Sequence, residues 1–376
     1  MPESVEIGMG REARRTYDLT DIAIVPSRRT RSSADVSTTW QIDAYRFDIP
    51  LVTDSSDAVA SPELAVEVGR LGGLGVINAE GLWARHADPR AVIEDILDIA
   101  SNAEDPDQAT AALQRAYSAP IDDALLAEAI GVVKAGGGTV AARVSPQNAA
   151  DLAPRVIAAG AELLIIQGTI VSAEHVRRGG EALNLKSFIA DLDVPVIVGG
   201  VANYQTATHL MRTGAAGVIV GTGAGAASTT DEVLGIAVPM ATAIADAAAA
   251  RRAYLDETGG RYVHVIAAGD ITTSADIAKA IACGADAVML GEPLAACDLA
   301  PARGWYWPHQ AAHPVLPRGY PALAGLADTS LQVLLAGPAR DAEGRTNLFG
   351  ALRRAMAKAG YSDLKEFQKV GLIVTG

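Results

Sequence analysis

Gly214-Ala-Ala-Gly-Val-Ile-Val-Gly221-Thr-Gly223-Ala-Gly225-Ala-Ala-Ser228-Thr-Thr230-Asp231 is the stretch from which the architecture is read. Val218 to Val220 form a short, partly β-branched apolar run between glycines, the pattern of a parallel strand buried on both faces. Gly221, Gly223 and Gly225 then open a loop in which backbone N–H groups can approach a ligand closely. Ser228 to Glu232 read as the start of a helix. Strand, glycine loop and helix together describe a ligand-binding turn; a small-residue turn without a ligand satisfies the same pattern.

Working outward, the same unit recurs. Gly160-Ala-Glu-Leu-Leu-Ile-Ile166 and Gly284-Ala-Asp-Ala-Val-Met-Leu290 repeat the glycine that ends a helix in a left-handed conformation before a buried strand begins. Eight apolar runs read as parallel strands: Leu51–Thr53, Gly75–Ile77, Val140–Val144, Leu163–Ile166, Val196–Val198, Val218–Val220, Val263–Ala267 and Val288–Leu290. Helical patterns fill the gaps at 61–71, 89–101 (with a second at 121–135), 147–159, 173–190, 204–213, 231–254 and 273–283. Eight alternating units point to an α/β fold, a single (β/α)8 barrel, since a doubly wound sheet does not need eight. Residues 1–47 read as an arm rich in solvated arginines, and 48–376 as the barrel. Residues 102–118 open with Asn102, Glu104, Asp105 and Pro106 and read as a polar loop. Residues 292–346, carrying Trp305-Tyr306-Trp307, read as an insertion after the eighth strand, placed to act as a lid over the strands' C-terminal ends. A last helix is expected over Leu348–Lys358, capped at Gly360.

Composition narrows the function classes. At 376 residues and 49% hydrophobic, the chain can bury a large core. A net charge of −13 argues against nucleic acid or an anionic membrane as partner. The two cysteines, Cys283 and Cys297, have no metal-type spacing and exclude a disulfide framework. With a charged N-terminus and no apolar run of about 18 residues, a cytoplasmic protein is expected.

The motifs taken together resemble the inosine-5′-monophosphate dehydrogenase / guanosine monophosphate reductase family over almost the whole chain. More narrowly, they resemble its actinobacterial IMP-dehydrogenase-related paralog. The resemblance rests on Tyr17-Asp-Leu-Thr-Asp-Ile-Ala-Ile-Val-Pro-Ser27, Gly72-Gly-Leu-Gly-Val-Ile77, Val196-Ile-Val-Gly-Gly-Val201 and the glycine-rich stretch above. It continues through Gly235-Ile-Ala-Val-Pro-Met-Ala-Thr-Ala-Ile244, Asp276-Ile-Ala-Lys-Ala-Ile281, Gly284-Ala-Asp-Ala-Val-Met-Leu-Gly291 and Gly350-Ala-Leu-Arg-Arg-Ala-Met-Ala-Lys-Ala-Gly360. It implies a (β/α)8 barrel, a homotetramer or octamer, NAD(P) as cofactor if the chain is active, and a K+ site at the glycine-rich loop. Family dehydrogenases carry a pair of CBS domains after the second barrel unit; the interval Ala79 to Thr139 is too short to hold one.

The resemblance also marks what has changed. The family begins catalysis with a cysteine thiolate attacking C2 of the purine, and here that position is Ser228. A serine hydroxyl is far less acidic than a thiol and needs a base. No histidine is near in sequence; His264, on the seventh strand, is the candidate from elsewhere. Ser228 also fits a helix N-cap before Asp231 and Glu232, while the resemblance keeps the neighbouring hydroxyls Thr229 and Thr230, with Thr230 a catalytic candidate beside Ser228. Where the family reads Ala-Asp-Gly-Gly after the seventh strand, this chain reads Ala267-Ala268-Gly269-Asp270, and where it reads Gly-Ser after the eighth, Gly291-Glu292. Gly223, Gly225, Ala268, Gly269, Asp270, Gly291 and Glu292 thus occupy the family's nucleotide-binding positions, with Asp57 retained on the first strand beside an added Asp54. Gln167 stands where the family has the aspartate of the cofactor site, with Gly200 its neighbour there. The lid shows no arginine–tyrosine pair in a family motif, although Arg303, Tyr306, Arg318 and Tyr320 are present.

A carboxylate about 5 Å from a phosphate costs on the order of 3 kcal/mol at an effective dielectric near 20. Two such pairs remove most of the roughly 8 kcal/mol of a micromolar ligand. The expected function is therefore an IMP-dehydrogenase-related barrel without ordinary dehydrogenase activity, retained for regulation, assembly with active relatives or ligand binding. Purine nucleotide binding is doubtful on this reading, and no metal site is expected. The competing expectation is an NAD(P)-dependent oxidoreductase of purine nucleotides. A third is a barrel taking a non-phosphorylated ligand, whose acidic rim (Asp54, Asp57, Asp270, Glu292) favours a cation.

Overall fold

The eight apolar runs are strands of one parallel sheet: β1 (Leu51–Thr53), β2 (Val76–Asn78), β3 (Ala141–Val144), β4 (Leu163–Gln167), β5 (Val196–Val201), β6 (Gly217–Val220), β7 (His264–Ala268) and β8 (Ala287–Leu290). Their order is β1-β8-β7-β6-β5-β4-β3-β2. The two ends meet through a parallel bridge between Val52 and Leu74. There the Thr53 N–H donates to Leu74 O at 2.9 Å and the Leu74 N–H to Leu51 O at 2.8 Å. The Thr53 hydroxyl extends the seam by accepting from the Val76 N–H at 2.9 Å. Every strand residue is buried except the two ends of β7, as a sheet covered on one face and filled on the other requires. The computed structural model describes residues 4–102, 105–173, 183–223, 230–315 and 318–375. Gly225, Ser228 and Thr229 lie outside the described residues.

The helices follow from periodicity and caps. Ser61 caps α1 (Pro62–Arg70) through the Leu64 N–H, Asn203 caps α7 (Tyr204–Met211), and Thr273 with Asp276 forms a capping box on α10 (Ser274–Ala282). The three glycines of the repeated unit sit at φ of 116° (Gly160), 99° (Gly214) and 118° (Gly284), where a side chain would be strained. The interval from Ala79 to Thr139 holds α2 (Pro89–Asn102), α3 (Pro106–Tyr117) and α4 (Asp123–Ala135), and no CBS pair is evident.

Three sequence expectations need correction. The segment expected as a polar loop at 102–118 is mostly α3. Asp105 accepts from the Asp107 N–H as N-cap, Pro106 fits the first turn, and Ala109, Ala112 and Leu113 line its buried face. The polar start of the segment hid an apolar stripe behind it. The single helix expected at 231–254 is two, α8 (Thr230–Leu234) and α9 (Met240–Thr258), because Gly235 at φ 65° ends the first and Pro239 precedes the second. The helix expected at 173–190 is seen as α6 (Leu185–Ala190), started by Asn184, and residues 174–182 lie outside the described residues. Between them α5 (Ala149–Ala159) stands where its pattern placed it. The C-terminal end carries α11 (Leu331–Ala336), α12 (Leu348–Lys358) and α13 (Leu364–Phe367).

The arm is tied to the barrel by some of its arginines. Arg14 forms a two-pronged pair with Asp246 at 2.6 and 2.9 Å, and Arg31 donates to Gly360 O. At the strands' N-terminal end, Asp286 collects five donors. Its Oδ2 accepts from Arg251 (2.7 Å) and the Val265 N–H (2.9 Å); its Oδ1 accepts from Tyr262 (2.8 Å), Lys365 (2.5 Å) and Gln368 (3.0 Å). Burial alone would raise this carboxyl, but Arg251 and Lys365 hold it well below the usual carboxylate range. His264 lies at this same end, with Nδ1 3.8 Å from Asp286. It is four residues, about 13 Å, from the opposite end of β7. His264 is thus at the end of the barrel opposite Gly221, where the glycine loop leaves β6; Ser228, for which it was the candidate base, lies outside the described residues.

No described helix is long and apolar enough to cross a membrane. Breaking a buried, hydrogen-bonded ion pair by removing one partner costs about 3–5 kcal/mol. An Asp286→Asn variant is expected to lose that much in denaturant unfolding at neutral pH. Because the folded carboxyl sits below its unfolded value of about 3.9, the contribution is complete above that pH and fades as pH falls through it. Wild type and variant therefore converge in acid.

Candidate functional site

At the strands' C-terminal ends lies a partly open cavity of about 270 Å³. It is lined from β4 and its exit by Gln167 and Gly168, from β5 by Gly200, and from the glycine loop by Gly221 and Gly223. Beyond β7 come Ala268, Gly269 and Asp270, and beyond β8 Gly291 and Glu292. Asp54 completes the circle from β1, and Tyr306, Pro308, His309 and Gln310 cover it from the segment after β8. Most of the sequence-derived positions therefore converge. Asp57 and Thr230 are not among the lining residues, and Gly225 and Ser228 lie outside the described ones.

The backbone is packed tightly at this end. A Cβ on Gly200 would stand 1.9 Å from Gly221 O, and one on Gly291 would stand 2.7 Å from the Tyr306 hydroxyl and 3.0 Å from Asp54 Cβ. Glycine is thus required for strand approach at Gly200 and for seating Tyr306 at Gly291, whether or not a ligand is bound.

The rim is acidic. Asp54 accepts from the Ser56 N–H at 2.8 Å and from Tyr306. Burial raises its carboxyl, while the Ser56 bond, Arg143 and Tyr306 oppose the rise. Tyr306 is pushed well above the usual phenol range by burial and by the negative charges of Asp54 and Glu292. Asp270 stands at the rim with much of its side chain in solvent, in a left-handed conformation at φ 52°. Its carboxyl is raised by partial burial and then by Asp18, Asp231, Glu292 and Asp276. Among the described lining residues there is no lysine or arginine.

Behind the rim, a buried cation organises the floor. Arg143 on β3 donates to Glu80 Oε2 at 2.9 Å and to the Gln167 carbonyl at 2.7 Å. Glu80 also accepts from the Ser145 N–H and hydroxyl and from Asn148. This pair was missed in the sequence, although an arginine inside the apolar run Ala141-Ala-Arg-Val144 was the signal for it. His309 was missed as well. Burial holds its pKa well below the usual histidine range, Arg143 adding to this, and neither ring nitrogen has a hydrogen-bond partner.

Asp57 has a different setting from the one its motif implied. It is 1% exposed and accepts from the Tyr117 hydroxyl (2.5 Å), the Leu82 N–H (3.1 Å) and Asn78 (3.4 Å). Tyr117 ends α3 and accepts in turn from Trp307 Nε1 at 3.4 Å. Gln114 of the same helix donates to His313 O at 2.7 Å. The helix that replaces the expected loop therefore props the segment covering the cavity. Of the other lid candidates, Arg303 is spent on Glu94 at the surface.

The cysteines offer no substitute nucleophile. Burial pushes both the Cys283 and the Cys297 thiol up to about 12, so neither is ionised near neutral pH. Among the described residues no group of three His, Cys, Asp or Glu side chains is arranged to hold a metal. A dinucleotide pyrophosphate also fits poorly against Asp54, Asp270 and Glu292, with no lysine or arginine among the described lining residues to answer it.

A family model described as the IMP dehydrogenase / GMP reductase domain matches residues 15–312. An "uncharacterized oxidoreductase" of Mycolicibacterium smegmatis is 62% identical over 98% of this chain and 99% of its own. The inosine-5′-monophosphate dehydrogenase of Methanocaldococcus jannaschii is 27% identical over 77% of this chain and 74% of its own. A crystal structure of an IMP dehydrogenase/GMP reductase-like protein from Corynebacterium glutamicum superposes with a TM-score of 0.94. It shares 57% identity and covers 99% of this chain and 98% of that one.

Asp57 supplies the site's test. Its folded pKa is raised to about 6 by burial, against the Tyr117, Leu82 and Asn78 hydrogen bonds. Its unfolded value is about 3.9, so its contribution to stability is complete below that pH and lost as pH rises through about 6. Asp57→Asn is expected to remove this decline. In denaturant unfolding its free energy should gain on wild type between about pH 4 and pH 7, by up to about 3 kcal/mol.

Proposed function

The chain belongs to the IMP dehydrogenase / GMP reductase family, and from that premise we propose that it does not carry out ordinary IMP oxidation. In this reading the barrel is retained to bind a ligand other than a nucleoside monophosphate, with a regulatory or assembly role beside active relatives. One observation carries it. The β7–β8–β1 side of the cavity presents Asp270, Glu292 and Asp54, and no lysine or arginine is among the described lining residues. Barrels of this kind grip phosphate at the loops after strands 7 and 8, where partial positive charge is needed. Ser228, read from the sequence at the position of the nucleophilic cysteine, supports the same conclusion. A serine hydroxyl is a poor nucleophile unless a base takes its proton, and His264 lies at the end of β7 away from the cavity.

The family's oligomeric habit supports a homotetramer or octamer, and a cytoplasmic setting follows from the same kinship. The 292–346 segment acts as a lid in this reading, with Tyr306 and His309 its contacts to the cavity. A second reading, an NAD(P)-dependent oxidoreductase of purine nucleotides with K+ at the glycine loop, has one observation in its favour. Relatives 62% identical over nearly the whole chain bear the name oxidoreductase.

Two measurements separate the readings. Purified protein with IMP and NAD is expected to form no xanthosine monophosphate above a heat-killed control, and calorimetry with IMP or GMP to give no heat of saturable binding. Turnover, or micromolar IMP affinity, returns the second reading.

A further inference from the structure

Nine buried side-chain nitrogen and oxygen atoms among the described residues lack a hydrogen-bond partner. Four of them belong to three residues that line the C-terminal cavity: Gln167 Oε1, Gln310 Oε1, and His309 Nδ1 and Nε2. Folded proteins leave few such groups unpaired, so a concentration of them around one cavity marks atoms waiting for a ligand. Their polarity is informative. The two amide oxygens accept only, and a neutral imidazole always keeps one accepting nitrogen. Gln167 is the firmest of the three. It is 7% exposed, its amide nitrogen is turned to the Met289 sulfur at 3.4 Å, and its backbone carbonyl is fixed by Arg143.

Charge and hydrogen-bond polarity agree. Asp54, Asp270 and Glu292 line the same cavity, with Tyr306 hydrogen-bonded to Asp54 and Ile219, Met289, Pro293 and Pro308 adding apolar surface. A ligand that satisfies this lining carries positive charge, brings several N–H donors and has an apolar body. A bare metal ion brings no donors, and the described residues hold no metal-ligand cluster. Resting on the reading that the cavity has ceased to hold nucleoside monophosphates, we propose that it binds a small organic cation, an amine, amidine or guanidine. Its cationic end meets the Asp54–Glu292–Asp270 rim and its remaining N–H groups reach Gln167 and Gln310. Tyr306, a lining residue of the same cavity, adds an aromatic ring of the kind that attracts such a group.

The test is calorimetry at low ionic strength with two matched pairs, benzamidine against benzoate and agmatine against glutarate, and with IMP as a fifth probe. At least one cation is expected to bind saturably, more than about tenfold tighter than its anionic counterpart. Glu292→Gln, Asp270→Asn and Gln167→Leu are each expected to weaken that cation by about tenfold while the fold is retained by circular dichroism. Raising salt is expected to weaken binding in wild type more than in Glu292→Gln. The proposal is overturned if neither cation saturates, if the anions bind as well, or if all three variants bind the cation as wild type does. Exclusion of IMP with no cation binding leaves the loss of IMP oxidation standing and removes only the organic cation. Tight IMP binding removes the reading on which it rests.

Discussion

Closing the sheet is the constraint on which everything else depends. Eight parallel strands leave two edges unless β1 and β2 meet. Here they meet through few bonds: the Leu74 backbone to Leu51 and Thr53, and the Thr53 hydroxyl to the Val76 N–H. Buried backbone groups without partners are costly, so these bonds hold the ring shut and fix which strand ends face one another. The β1–β8 and β8–β7 pairings place Asp54, at the exit of β1, beside Glu292 at the exit of β8 and near Asp270 beyond β7, and closure brings the exits of the remaining strands round to the same cavity. In an open sheet Asp54 would sit on an edge. The acidic rim is therefore a product of topology acting on three residues far apart in the chain.

The rim's three carboxylates do not count equally. Asp270 is the most exposed of the three, and screening reduces what it can do to a bound anion. Asp54 and Glu292 are partly buried and both act on the Tyr306 phenol, so their field is less diluted. Burial drives the Asp54 and Asp270 carboxyls upward, as it does the Tyr306 phenol. A dianion entering this space would deepen that strain, and a cation would relieve it. At the other end of the barrel Asp286 shows the contrast. It is more deeply buried, yet five donors and two cations hold it ionised. One carboxylate is finished as structure; the others are left open.

The strands were legible because each is a short apolar run after a turn residue, and β1 was read to its exact bounds. Helix-ending glycines were legible from the repeat, since only Gly tolerates φ near 116° without strain. The helix α3 was not, because its first residues, Asp105, Pro106 and Asp107, serve equally as loop and as helix start. With α3 unread, Tyr117 could not be seen as the partner of Asp57, and Asp57 was assigned to the cavity when it is buried beneath it. Most of the cavity positions came from a family pattern, not from periodicity, and Gln167, Asp270, Glu292 and Gly291 do line it. His309 and Gln310 sit in a stretch with no regular pattern, so nothing local announced that they reach the strands' ends.

The central claim is electrostatic: carboxylates at the exits of β7 and β8 keep phosphate out. The most direct measurement is calorimetric IMP affinity of a double variant, Asp270→Gly with Glu292→Ser, set against wild type. Removing two like-charge contacts, each worth on the order of 3 kcal/mol, is expected to raise IMP affinity by at least about 100-fold. An affinity unchanged from wild type in a correctly folded double variant would contradict the account.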